Sequence, residues 1–330
     1  MPRKRNAQIA SQGPTLTWPG RRWQIGRTSA QPPPTRVVEE RVGDGRHRIV
    51  RADVLDLAAL LRAEGLAGSV DLVYVDPPYA SQADYVLEAR LDGTADGRVK
   101  RSLAYEDTWS DRDGGGGAYL DMLAPRLEAL AGLLSERGTM WVHLDWRSAY
   151  LVRVVLDEIL GRDAFLNEIV WRRAPNLGRQ AASSQFGRTL DTIVVYGKPG
   201  AKLVPPMRLE PIEPSAIRRD EEGRPFTSAP RGDYTDKSIA MLDEQGRVHR
   251  TASGKVYIKY FLVPDADGRL CRERRVDTLW TDVAPLRHAA ASERTGFPTQ
   301  KPQALLERII ACATSGLAVR AVSSAIATDA

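Results

Sequence analysis

Asp76-Pro77-Pro78-Tyr79 concentrates more chemistry than any other stretch of the sequence, and it follows directly on the nearly continuous apolar run from Val70 to Val75. Consecutive prolines fix φ and stiffen the tetrapeptide, so the Asp76 carboxylate and the Pro77 carbonyl can face outward as two fixed acceptors. Two acceptors suit one exocyclic amine. An aromatic amine such as adenine N6 is a poor nucleophile because its lone pair is delocalised into the ring. Holding both its hydrogens favours the pyramidal form, whose lone pair can attack. Tyr79 adds a stacking face for a base swung out of a duplex, an interaction of about 1–3 kcal/mol per base in single-strand binders. The plain alternative is a strand-ending turn whose aspartate bonds locally and whose tyrosine packs.

A second group of functional residues lies between Trp171 and Arg188, where Arg172, Arg173, Arg179 and Arg188 stand among amides and hydroxyls with no acidic residue. Arginine reads guanine edges and amides read adenine, so the segment suits both positioning on DNA and base readout. Its alternative is a solvated basic loop. Arg218, Arg219, Lys237, Arg272, Arg274 and Arg275 are further cations to which the sequence assigns no role.

These residues need a frame, and the hydrophobic pattern supplies one. Ile49-Val50 reads as a short strand ending at Asp53. Residues 54–64 then place Leu57, Leu60 and Leu61 on one helical face. The run from Val70 fits a strand buried on both faces, and a strand that delivers ligand-facing residues at its carboxyl end is where open α/β sheets bind. Tyr119 to Leu134 has leucines at helical spacing, with Gly138 as the stop before a strand over residues 139–145. A helix over 150–160 and strands over 165–171 and 192–196 follow. Such alternation predicts an α/β fold with a mostly parallel sheet. Prolines and mixed charges dominate from residue 201 to 294, read as an inserted recognition region in which residues 255–263 alternate like an edge strand. Pro302 opens an amphipathic helix through Ala313.

Bulk properties agree. The chain has 330 residues, ample for a core, and its charge is 47 − 42 = +5 with a pI near 9.2, a mild lean towards nucleic acid. Cys271 and Cys312 cannot build a disulfide framework or a zinc site, so no metal and a cytoplasmic location are expected. No stretch is apolar enough to cross a membrane. Residues 1–40 carry seven basic and two acidic side chains and read as a basic, mobile arm, with Trp18 and Trp23 marking a part that docks.

In its context, the segment Val70 to Tyr79 resembles motif IV of the amino-methylating DNA methyltransferases. The order of the remaining segments resembles the permuted beta-type branch, including type III modification subunits. The stretch 48–53, residues 141–145 and 191–196, and Pro298-Thr299-Gln300-Lys301-Pro302 are similar to further family segments, although Ala52 stands where glycine is usual. The resemblance spans roughly residues 46–312. It implies a Rossmann-like fold dependent on S-adenosylmethionine, methyl transfer to double-stranded DNA, and adenine N6 over cytosine N4 because the motif opens on aspartate. Residue by residue, it implies Asp76, Pro77, Pro78 and Tyr79 as the catalytic set and Thr299, Gln300 and Lys301 beside the cofactor. Asp53 is a weaker cofactor candidate that could equally cap a helix. His143 and Asp145 are read as shaping a strand end.

One departure stands against this resemblance. After the Lys-Pro signature the family has a strand and an Asp-Pro-Phe-x-Gly-Ser-Gly-Thr turn that holds the cofactor, whereas this sequence has Gly316 alone in that region. The expectation is a catalytic domain over 41–200 and a truncated return over 295–330 that leaves Leu72 to Val75 with an unpaired apolar edge. A shifted reading frame, a second chain completing the cofactor site, or an inactive DNA-binding specificity subunit each fit. A restriction subunit is the other implied partner.

Overall fold

The structure, a computed structural model, describes residues 15–26, 38–42, 47–81, 85–90, 99–105, 107–109, 116–177, 184–297, 299–314 and 321–325. The described chain forms two compact units, one running to Val204 and resuming at Thr278, the other Pro205–Asp277.

The first unit contains β1 (Val38–Val42), β2 (His47–Arg51), α1 (Val54–Ala63), β3 (Val70–Asp76), β4 (Tyr85–Arg90), β5 (Val99–Tyr105), α2 (Gly116–Ala131), β6 (Leu134–Leu144), α3 (Ala149–Leu160), β7 (Phe165–Arg172) and β8 (Leu190–Gly197). The second holds β9 (Met207–Pro211), β10 (Arg218–Arg219), β11 (Pro225–Pro230), α4 (Asp236–Glu244), β12 (Val248–Arg250), β13 (Val256–Pro264) and β14 (Leu270–Arg275). Three elements return to the first: β15 (Leu279–Trp280), α5 (Gln303–Thr314) and β16 (Ala321–Ala325).

The main sheet has the order β15-β7-β8-β6-β3-β16. Five of its six strands run the same way, because only β8 pairs antiparallel, with β7 on one side and β6 on the other. This is the mostly parallel α/β arrangement expected of a Rossmann-like methyltransferase fold. Every residue of β3 except the last is buried, as a strand covered on both faces requires. Its valines meet Ala58 and Leu61 of α1 and Leu123, Leu127 and Leu130 of α2 in one apolar cluster. The second unit is an antiparallel sheet, β10-β11-β13-β14-β9, with β12 also on β13. Ile239 of α4 packs on Val248 and Ile258 there.

The structure corrects several expectations. Strand β16 pairs in parallel with β3, matching Ala321 to Leu72 and Ala325 to Asp76, so the β3 edge is covered. Its Ala-Val-Ser-Ser-Ala sequence is too short and weakly apolar to announce itself; the row of β3 hydrogen-bonding groups templates it. Strand β2 does not open the main sheet but pairs with β1 in a separate ladder, consistent with its alternating burial and the exposed Ile49. Gly138 does not stop α2, which ends at Ala131; it lies inside β6, where a Cβ would come within 2.6 Å of the Val70 carbonyl. Strand β13 is central rather than an edge, since alternation reports one buried face and says nothing of neighbours. The chain rejoins the first sheet at β15, well before residue 294.

The part of the basic arm around Trp18 and Trp23 docks, as expected. Trp23 is buried and bonds Glu128 through Nε1, Arg21 pairs with Glu158 between the rings of Trp18 and Trp23, and Asp121 accepts from the Arg22 and Trp23 amides. Residues 1–14 and 27–37 lie outside the described ones.

Candidate active site

Strand β3 ends on Asp76, and the chain then turns through Pro77 and Pro78, both buried. Asp107 fixes that turn. Its fully buried carboxylate accepts from the amides of Tyr79 (3.2 Å), Ala80 (2.9 Å) and Ser81 (2.8 Å), and from Trp109 Nε1 at 3.3 Å. Ala80 takes a positive φ of 54°, a conformation that costs an L-residue energy and that these bonds offset. The Tyr119 hydroxyl donates to the Pro78 carbonyl at 2.8 Å. The turn is therefore held from two places distant in sequence, Asp107 and Tyr119.

Each Asp76 oxygen already holds one donor. The Tyr79 hydroxyl donates to Oδ1 at 2.8 Å and Lys301 Nζ to Oδ2 at 2.7 Å, with the Lys301 and Asp76 side chains only 12% and 15% exposed. A carboxylate oxygen has a second lone pair, so both can still accept from an incoming amine. Lys301 also donates to the Thr299 carbonyl at 3.2 Å, tying the Thr-Gln-Lys segment to the end of β3.

Behind Tyr79 lies a buried polar chain. The Tyr79 ring stacks on His143 at 5.9 Å between centroids. His143 Nε2 lies 3.1 Å from Asp191 Oδ2 and Nδ1 lies 2.8 Å from the Tyr74 hydroxyl. A carboxylate only accepts, which places the proton on Nε2 and leaves Nδ1 to accept from Tyr74. Arg173 pairs with the other Asp191 oxygen at 2.7 Å. Burial, reinforced by the charges of Asp76 and Asp191, holds the Tyr74 and Tyr79 hydroxyls well above the usual phenol range, so both remain donors. Burial also raises Asp145, against the pull of bonds from Arg147.

The expected residues divide accordingly. Asp76, Pro77, Pro78, Tyr79 and Lys301 come together. Asp53 caps α1, accepting from the Leu55 amide at 2.8 Å, and pairs with Arg126. Gln300 accepts from the Thr295 amide and hydroxyl and donates to the Glu293 carbonyl. Arg172 is exposed, Arg188 covers the Trp146 ring at 4.0 Å, and Arg173 is drawn to Asp191. Arg179 and Pro298 lie outside the described residues. The sequence reading gave no role to Asp107, Tyr119, Tyr74 or Asp191; the first three carry no signal beyond a lone acid or a tyrosine, and Asp191 stood only as the start of the segment 191–196.

Comparison with known proteins adds what geometry alone cannot. The profile of the DNA methylase family, the N6 and N4 methyltransferases, matches residues 70–316. The chain belongs to that family. Among the relatives of this DNA methylase, the type II methyltransferase M.EcaI of Enterobacter cloacae is 23% identical over 271 residues, covering 74% of this chain and 54% of its own length. The StyLTI Mod subunit, from a type III restriction-modification enzyme of Salmonella typhimurium, is 24% identical over 225 residues, covering 65% of this chain and 33% of its own. The chain thus spans about half the length of one and a third of the other. A crystal structure of the M1.HpyAVI-SAM complex is 14% identical, covering 80% of this chain and 75% of that one at a TM-score of 0.39.

Enzymes of this family use S-adenosylmethionine. Whether this chain suits it is tested by what each candidate residue already does. Asp53 and Gln300 are bonded within the protein, whereas the Thr299–Lys301 segment is anchored by Lys301 at Asp76. Lys301 thus places the Thr299–Lys301 segment beside the carboxyl end of β3. Among the described residues no cluster of histidine, cysteine or carboxylate could hold a metal, and no helix is long and apolar enough to cross a membrane.

Proposed function

We propose that the chain methylates the N6 amine of adenine in double-stranded DNA, with S-adenosylmethionine as methyl donor. The observation carrying this reading is the Asp76 carboxylate, fixed at the carboxyl end of a buried strand and hydrogen-bonded by Tyr79 and Lys301, in a chain of the DNA methylase family. S-adenosylmethionine supplies an electrophilic methyl group. The protein's own task is to hold the amine. One amine hydrogen bonds to Asp76 and the other to the Pro77 carbonyl, which draws the nitrogen towards tetrahedral geometry and frees its lone pair for attack. A proton must leave the nitrogen as the new bond forms, and Asp76 is the base within reach. Tyr79, pinned through its hydroxyl and stacked on His143, orients the carboxylate and borders the base.

Thr299, Gln300 and Lys301 border the donor in this reading, with Asp53 shaping the first turn of α1 nearby in sequence. Arg172, Arg179 and Arg188 contact DNA phosphates or bases, while Arg173 chiefly holds Asp191. The Pro205–Asp277 unit carries target recognition. A restriction subunit is the partner this reading assigns to the full protein.

Digestion of methylated DNA to nucleosides tests the assignment. N6-methyladenine is expected; N4-methylcytosine would overturn the adenine reading while keeping the chemistry, and label on a protein glutamine would end the DNA reading.

A further inference from the structure

Resting on that reading, a second feature at the same end of the sheet suggests how the target base is reached. Phe186 is 100% exposed, yet the chain around it is held. The Ala174 amide donates to the Thr189 carbonyl at 3.3 Å, Arg173 Nη2 to the Arg188 carbonyl at 3.3 Å, and Arg188 Nη2 to Gln185 Oε1 at 3.3 Å. At Gly187 a Cβ would fall 2.1 Å from Asn176 Oδ1, so Asn176 closes tightly on that backbone. Trp146, just past the end of β6 and 48% exposed, lies between the guanidinium groups of Arg188 at 4.0 Å and Arg147 at 5.0 Å from its ring centroid.

An aromatic side chain held out in water forgoes the burial that normally places it inside. Arg188 lies two residues along the chain, its guanidinium over the Trp146 ring that Arg147 also faces, a setting suited to a polyanion. Phe186 is also near the chemistry. Asp191, five residues along the chain, bonds His143, on which Tyr79 is stacked. Five residues of chain span at most about 18 Å. A base extruded from a duplex leaves an unstacked gap, and apolar wedges that fill such gaps occur among DNA-bending proteins.

We propose that Phe186 inserts into the duplex at the position vacated by the target adenine, carried on the segment that Arg188 ties to Trp146. Its partner is double-stranded DNA, chosen over a protein because the stretch that carries it, Trp171 to Arg188, holds four arginines and no acidic residue. Phe186 is a positioning residue, acting through the base stack and not on the methylated nitrogen.

The test compares the full-length chain with Phe186→Ala and Phe186→Trp on two duplexes, one carrying thymine and the other an abasic site opposite the target adenine. Phe186→Ala should lower kcat/KM on the paired duplex by about tenfold or more, with little loss on the abasic duplex, where extrusion is already cheap. Phe186→Trp should restore most of the loss. Unlike the turnover assay, 2-aminopurine at the target position reads extrusion without chemistry: its fluorescence should rise on binding the natural chain and stay low with Phe186→Ala. Equal loss on both duplexes, no loss on either, or an unchanged fluorescence rise would overturn the proposal. Absence of transfer by the natural chain on every duplex would instead overturn the methyltransferase reading, leaving the fluorescence result to decide the wedge.

Discussion

Asp107 does as much to define the site as the residues that meet substrate. Its carboxylate gathers three successive amides and an indole N–H, and removing it leaves those donors buried without their acceptor. Asp107→Ala is expected to destabilise the fold by on the order of 3 kcal/mol, seen as a lowered Tm, and to lose methyl transfer with it. Asp107→Asn, which keeps an acceptor, should lose less of both. The rigid Asp76–Tyr79 turn was legible in sequence because its chemistry and its strand are contiguous, and the segment of Lys301 because it stands in a recognisable five-residue signature. Asp107 and Asp191 were not, since a buried acceptor's partners are chosen by the fold: Asp191 meets His143 across 48 residues. Burial likewise pushes the Cys312 thiol up to about 11. At pH 8 the native thiol is therefore expected to resist alkylation, and mass spectrometry should find it modified rapidly only after denaturation.

At the level of elements, legibility followed how completely burial constrains the pattern. Strand β3 is covered on both faces and reads as a nearly uninterrupted apolar run; its place in the sheet was evident. The end of α2 was misplaced because Leu133 and Leu134 continue the apolar pattern after the helix has stopped, and Gly138 resembles a stop signal. The glycine is there for a different reason, the Val70 carbonyl at 2.6 Å from any added Cβ. Gly138→Ala should therefore force β6 away from β3 and cost about 1–3 kcal/mol, a fall in Tm readable by thermal melting. Strand β16 was illegible, being built of small residues that gain their order from β3. Ending the chain at Arg320 removes it and bares the β3 edge; the expected outcome is aggregation on size-exclusion chromatography, and a monodisperse product would contradict the pairing.

For the whole molecule, the net charge of +5 states only a lean; the placement of the arginines gives it direction. Binding to duplex DNA should weaken linearly in a plot of log affinity against log salt, with a slope of about −0.9 for each phosphate neutralised. Arg172→Ala and Arg188→Ala should each reduce that slope by about 1 while leaving Tm unchanged. Arg173→Ala should lower Tm as well, because its guanidinium balances the buried Asp191. The two-unit division was visible as a shift in composition near residue 201, but not its far boundary. Pairing of β15 with β7 sets that boundary, and a two-residue strand carries no periodic signal. The central claim concerns Asp76. The most direct measurement is transfer of a labelled methyl group from S-adenosylmethionine to unmethylated duplex DNA by the purified chain and by Asp76→Ala, with DNA affinity measured on both. The account predicts label on adenine N6 from the natural chain, none from Asp76→Ala, and nearly equal affinities. Equal transfer by the two proteins, or loss of binding together with transfer, would contradict it.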